Sequence, residues 1–144
     1  MGFCVIIHGI IAVLFISDHP GRFAHYKRIT MEQDHGPINI AELHEIMDHD
    51  EELLRECLAD FLSDFPQMLD HIKTAIHSGN YEDLEASAHA FKGSLKYLAA
   101  FPASDLAFQL ETMGKKGEPR DPEAVFSRLE HECARIEAFI NSYD

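Results

Sequence analysis

From about residue 38 onward, apolar positions recur at the three- and four-residue spacing of helices, and the breaks fall at residues that stop helices. Gly36-Pro37 closes off whatever precedes it. Asn39 can cap a short helix with Ile40, Leu43, Ile46 and Met47 on one side. Asp50 can cap a long helix to about Ser78, with Leu54, Leu58, Phe61, Leu62, Phe65, Leu69, Ile72 and Ile76 as its stripe. Pro66 lies inside that stretch, and the stripe stays in phase beyond it, which predicts one kinked helix rather than two. Gly79-Asn80 punctuates, and Asn80 can cap a third helix from Tyr81 to about Ala99. Pro102 suits the first turn of a fourth helix reaching about Lys115, with Gly114 and Gly117 marking its end and Pro119 beyond. Asp121-Pro122-Glu123 combines a cap, a proline at the first helical position and an acid on the positive dipole end. The helix it opens carries Val125, Phe126, Leu129, Cys133, Ile136 and Ile140. No run shows strand-like alternation and no internal repeat is present. The expected fold is all-α: an antiparallel up-down four-helix bundle with a short extra N-terminal helix packed as a lid or extension.

Phe3 to Ile16 is apolar without polar periodicity, and it is short of the roughly 20 residues that cross a bilayer. No Lys or Arg precedes it and no clear cleavage site follows, so a signal peptide is poorly supported. Two readings stay open: a short membrane-associating segment, or a translation start at Met31 that leaves residues 1–30 outside the fold. The expected division is an N-terminal extension over 1–37 and a bundle over 38–144.

Charge narrows the partners. The net charge is −13, and the first thirty residues oppose that sign, with Arg22, Lys27 and Arg28 against Asp18 alone. Residues 31–144 therefore carry 9 basic and 24 acidic side chains, a net −15. Such a surface repels phosphate backbones and anionic headgroups, which argues against nucleic acid and membrane as partners. Cys4, Cys57 and Cys133 are scattered and form no C-x-x-C pair, as suits reduced thiols in a cytoplasmic protein. A chain of 144 residues needs neither a disulfide nor a metal to hold its core.

The third helix separates its faces. At about 100° per residue, Leu84, Ala88, Phe91, Leu95 and Leu98 fall in one band, and His89 lies roughly 140° from the middle of it, toward solvent. Lys92 and Gly93 neighbour His89 one turn on, Lys96 lies two turns on, and Glu85 stands one turn before. An exposed imidazole can be neutral near pH 7, with one nitrogen free as a nucleophile. A cation three residues away can offset the charge of an incoming phosphoryl group. Glycine in mid-helix costs about 1 kcal/mol relative to alanine. Clearing a side chain beside the nucleophile, so that a partner's active site can approach, would justify that cost. Gly93 could equally be a helix–helix contact point, and the two lysines a solvated face.

The stretch Ala88-His89-Ala90-Phe91-Lys92-Gly93-Ser94 resembles the phosphoacceptor motif A-H-x-[LF]-K-G-S of histidine-containing phosphotransfer (HPt) domains. An F…P…L helix precedes it, here Phe61 to Leu69, and an L-E element ending in glycine follows, here Leu110-Glu111…Gly114. The similarity spans about residues 38–142. It implies that His89 is the phosphoacceptor, that Lys92 stabilises phosphate charge, and that Gly93 clears the docking surface. It also implies partners: receiver domains of response regulators, whose aspartate exchanges the phosphoryl group beside a bound magnesium ion, and a hybrid histidine kinase. The chain itself is expected to carry no cofactor and to be a monomer. Docking is expected to use Ala90, Lys96 and Glu85, and Ile40 and Leu43 of the short helix. The family motif is often followed by L-G-[AL], whereas this chain has Leu98-Ala99-Ala100, which puts the local turn in question.

Three rival readings are weaker. A di-iron bundle needs paired Glu-x-x-His elements on two helices. The one match, Glu32-Gln33-Asp34-His35, runs into Gly36-Pro37, and the pair His44 and Asp48 lacks a third ligand at helical spacing. A binding module of this fold without phosphotransfer would be expected to lack the histidine or the lysine, and both are present. A histidine kinase would need an ATP-binding domain and a Gly-rich nucleotide loop, for which the chain has no room.

Overall fold

A computed structural model describes residues 3–7, 10–14, 36–118 and 120–143, which fall into two units, Met1–Gly36 and Pro37–Asp144. In the first unit, strands β1 (Phe3–Ile7) and β2 (Ile10–Leu14) pair antiparallel, Phe3 opposite Leu14 and Ile7 opposite Ile10. The apolar run thus pairs as a hairpin although no strand-like alternation marks it in the sequence. Val5, Ile6, Ile7, Ile10, Ile11 and Val13 are β-branched, which stiffens the side chain and favours the pleated backbone. The proposed start at Met31, the basic cluster Arg22 to Arg28 and the Glu32 to His35 motif lie outside the described residues.

The second unit is built of helices, and its boundaries follow from its caps. The Asn39 side chain accepts from Glu42 N–H and opens α1 (Ile40–Ile46). Asp50 accepts from Glu52 and Leu53 N–H and opens α2 (Glu51–Ser78), which runs through Pro66 as one helix. Gly79, with φ +65°, ends it in the left-handed conformation that glycine adopts without strain. Asn80 accepts from Asp83 N–H at the start of α3 (Tyr81–Tyr97). Next comes α4 (Phe101–Lys116), with proline in its first turn and no side-chain cap. Asp121 accepts from Ala124 N–H and opens α5 (Pro122–Ser142).

Two local findings refine the expected turns. Helix α3 stops at Tyr97, and Ala99 takes φ +56° where the family often carries glycine. The left-handed turn thus forms with an alanine in it, and the Ala99 carbonyl accepts from Asn39 N–H at 2.9 Å, tying α1 to the α3–α4 connection. Gly114 is not the end of α4 but a buried position inside it. A Cβ there would lie 2.5 Å from Glu85 N and 2.7 Å from Tyr81 O, so its absence lets α4 lie against the α3 backbone.

The apolar stripes of all five helices meet in one core. The stripe of α3 (Leu84, Ala88, Phe91, Leu95) is buried as its spacing implies, with Phe91 stacked 6.2 Å from Phe61 of α2. This is the all-α bundle the pattern predicts, with α1 as the added short helix. Among the described residues, no helix is long and apolar enough to cross a membrane.

Candidate functional site

Because the core stripe of α3 faces inward, His89 stands on the outer face, with 68% of its side chain exposed. Its Nδ1 lies 2.8 Å from Oε1 of Glu111 on α4. Lys92, one turn along α3, donates to the other carboxylate oxygen, Oε2, at 2.5 Å. The lysine is only 15% exposed and sits over the Phe108 ring, 5.1 Å from its centroid, a cation–π contact. Glu111 thus bridges the two residues that carry the motif. Its burial pushes the carboxyl upward, but the hydrogen bonds from Lys92 and His89, together with the charges of those partners, outweigh this and hold it below its ordinary value.

An ionised carboxylate can only accept hydrogen bonds, so the proton of the neutral imidazole sits on Nδ1. Nε2 is then the nitrogen with a free lone pair. Gly93 is exposed, and a Cβ there would meet nothing within 4 Å. Gly93 is therefore not a helix contact; Gly114 fills that role.

The other anticipated docking residues divide. Ala90 and Lys96 are both exposed on α3, about 120° apart round it, and Glu85 is half-buried. Leu43 is fully buried, which removes it from any docking surface. The reason is packing: Ile38, Leu43 and Met47 form the inward side of α1 and join the core. Ile40 is half-buried against that core, and Ile46 is the large apolar residue that α1 exposes. Lys92 is held by Glu111 rather than standing free in solvent. His44 is engaged within the fold, its Nδ1 3.5 Å from Glu51 Oε1 and its Nε2 3.4 Å from the Tyr143 hydroxyl, while Asp48 falls past the end of α1.

Sequence reasoning did not place Glu111 or Phe108 in the site. The L-E element was visible as a resemblance, but its contact with His89 depends on how α4 lies across α3.

Among the described residues, His89 is the exposed histidine that both a carboxylate and a lysine brace on the outer face of the bundle. The family model of the Hpt domain matches residues 56–139, more than half of the chain, and the protein belongs to that family. The crystal structure of histidine-containing phosphotransfer protein B (HptB) from Pseudomonas aeruginosa PAO1 is similar in fold, with a TM-score of 0.66 at 24% identity. The match covers 76% of this chain and 94% of that one. No curated protein matches the chain.

Proposed function

We propose that the protein is a phosphorelay intermediate that takes a phosphoryl group on Nε2 of His89 from the aspartate of one receiver domain and returns it to another. A hybrid histidine kinase would feed the relay and a response regulator would drain it. The observation that carries this reading is the bridge from His89 Nδ1 through Glu111 to Lys92, which leaves Nε2 as the open nucleophile on an exposed face.

In the forward step the Nε2 lone pair attacks phosphorus, and the bond from phosphorus to the aspartyl oxygen breaks, releasing a carboxylate. The proton on Nδ1 stays in place, so the phosphorylated ring becomes cationic. Glu111 is already placed to stabilise that charge, and Lys92 holds the carboxylate in position from its far side. No base is needed because no proton leaves the ring. The magnesium ion that neutralises the phosphoryl oxygens is assigned to the partner's acidic pocket.

The test is transfer from a panel of phosphorylated receiver domains onto the purified protein. Label should appear rapidly on His89 and be absent in His89→Gln. Equal labelling of that variant would place the acceptor elsewhere.

A further inference from the structure

The geometry points to the groove between α2 and α3 as the surface that selects which receivers reach His89: it fits a docking face that sets lysine or arginine side chains around an apolar centre. This rests on the function proposed above and names the partner surface for it. The groove has a volume of about 270 Å³. Leu53 and Tyr97 line it while 44% and 56% exposed, and half-buried Met68 lies at its Ser94 end. Large side chains left this open beside a concave surface are suited to meeting another protein's apolar residues.

The same groove has an acidic edge. Glu56, Asp60 and Asp64 all line it, and their four-residue spacing puts them on one ridge of α2. None of the three forms an ion pair or hydrogen bond among the described residues. In a chain of net charge −13, such a ridge repels an acidic or purely apolar partner face and attracts a basic one.

The groove is also within one footprint of the acceptor. Tyr97 stands about 80° round α3 from His89 and about 12 Å further along it. A standard interface covers roughly 800 Å² on each partner, enough to span imidazole and groove together. On the His89 side the exposed charge toward the groove end is Lys96, of opposite sign, while exposed Glu82 lies two turns the other way. The acidic ridge on α2 and Lys96 across the groove on α3 together orient the incoming receiver, so that its aspartate meets Nε2 rather than the groove. Selection then works as much by repelling receivers with acidic faces as by attracting basic ones.

The test uses the full chain and a triple variant, Glu56→Gln with Asp60→Asn and Asp64→Asn, which removes charge and leaves shape. Labelling of His89 by phosphoramidate, a small donor that needs no docking, reports the acceptor alone and should match wild type. Transfer from a receiver that serves the wild-type protein should lose roughly tenfold in kcat/KM at low salt, mainly through KM, and the difference should shrink at high salt. Equal kcat/KM at low salt in the two proteins overturns the groove as the selecting surface while leaving the acceptor role intact. If instead the wild-type protein accepts label from phosphoramidate but from no receiver, it is the relay function itself that fails.

Discussion

His89 and Glu111 are 22 residues apart in the chain, yet the Nδ1 of one and the Oε1 of the other are 2.8 Å apart across the α3–α4 contact. The same carboxylate holds Lys92, so the acceptor's orientation depends on a residue of the neighbouring helix. Replacing Glu111 with Ala should free the imidazole to adopt either tautomer and release Lys92 toward solvent. Transfer should slow by roughly ten- to a hundredfold, a second-partner loss of the kind seen where an orienting hydrogen bond to histidine is removed. Rates for Glu111→Gln should fall less, since an amide oxygen can still accept from Nδ1. Two-dimensional NMR of the ring nitrogens checks the tautomer directly, and an unchanged ratio in Glu111→Ala would remove the positioning role.

Acid should weaken this bridge with a defined sign. The Glu111 carboxyl is held below its ordinary value in the folded protein, so its contribution to stability is present above the unfolded-state value near 4.3. It is lost as pH falls through the lowered value. Stability of Glu111→Gln measured by urea titration should therefore approach that of wild type on acidification, with the larger gap at neutral pH.

His89→Gln should fold normally, because the exposed side chain buries little, and the change in stability should stay within about 0.5 kcal/mol. It should accept no phosphoryl group. Lys92→Ala should slow transfer without abolishing it, because the lysine bonds to Glu111 and makes no bond to phosphorus. Stopped-flow transfer assays on both variants separate these two outcomes.

The two mid-helix glycines should respond in opposite ways. Gly93→Ala adds a methyl into open space and should raise stability by about 1 kcal/mol through helix propensity. Gly114→Ala forces a Cβ into the backbone of α3 and should cost about 1–3 kcal/mol, as overpacking does. Thermal melts of the pair give the comparison. Gly93→Gln, by contrast, should leave the fold intact and weaken receiver docking.

Incubated with labelled ATP and magnesium but no partner, the protein should remain unlabelled. Phosphoryl transfer from ATP takes a phosphate-cradling loop, a metal clamp and a positioned base, whereas this site offers one histidine, a carboxylate and a lysine on a helix face. Label on His89 under these conditions would indicate a kinase activity of its own.

Much of this was legible because it is local. Asn39, Asp50, Asn80 and Asp121 cap the helices they were expected to cap, since a cap acts on N–H groups two or three residues away. The outward placement of His89 follows from the periodicity of α3 alone. What the chain concealed is contact between helices. Gly93 and Gly114 look alike in sequence, and only the distance between α3 and α4 decides which one is needed for close approach. Glu111 joins the site for the same reason, and Leu43 leaves it because α1 turns that side inward. The strands at Phe3–Ile7 and Ile10–Leu14 were hidden because an apolar run interrupted only by His8-Gly9 has no alternation to read.

The imidazole on α3 offers a single edge, and the opposite side of its helix is sealed by Phe91 and Leu95. Under the function proposed above, only one receiver could occupy that edge at a time, and donors and recipients would take turns. In a cell with several receivers, the share of traffic each obtains would be set by its abundance and by how long it dwells, with every slow-leaving visitor blocking the rest. An unphosphorylated regulator in excess would then act as a brake on the relay without any chemistry of its own.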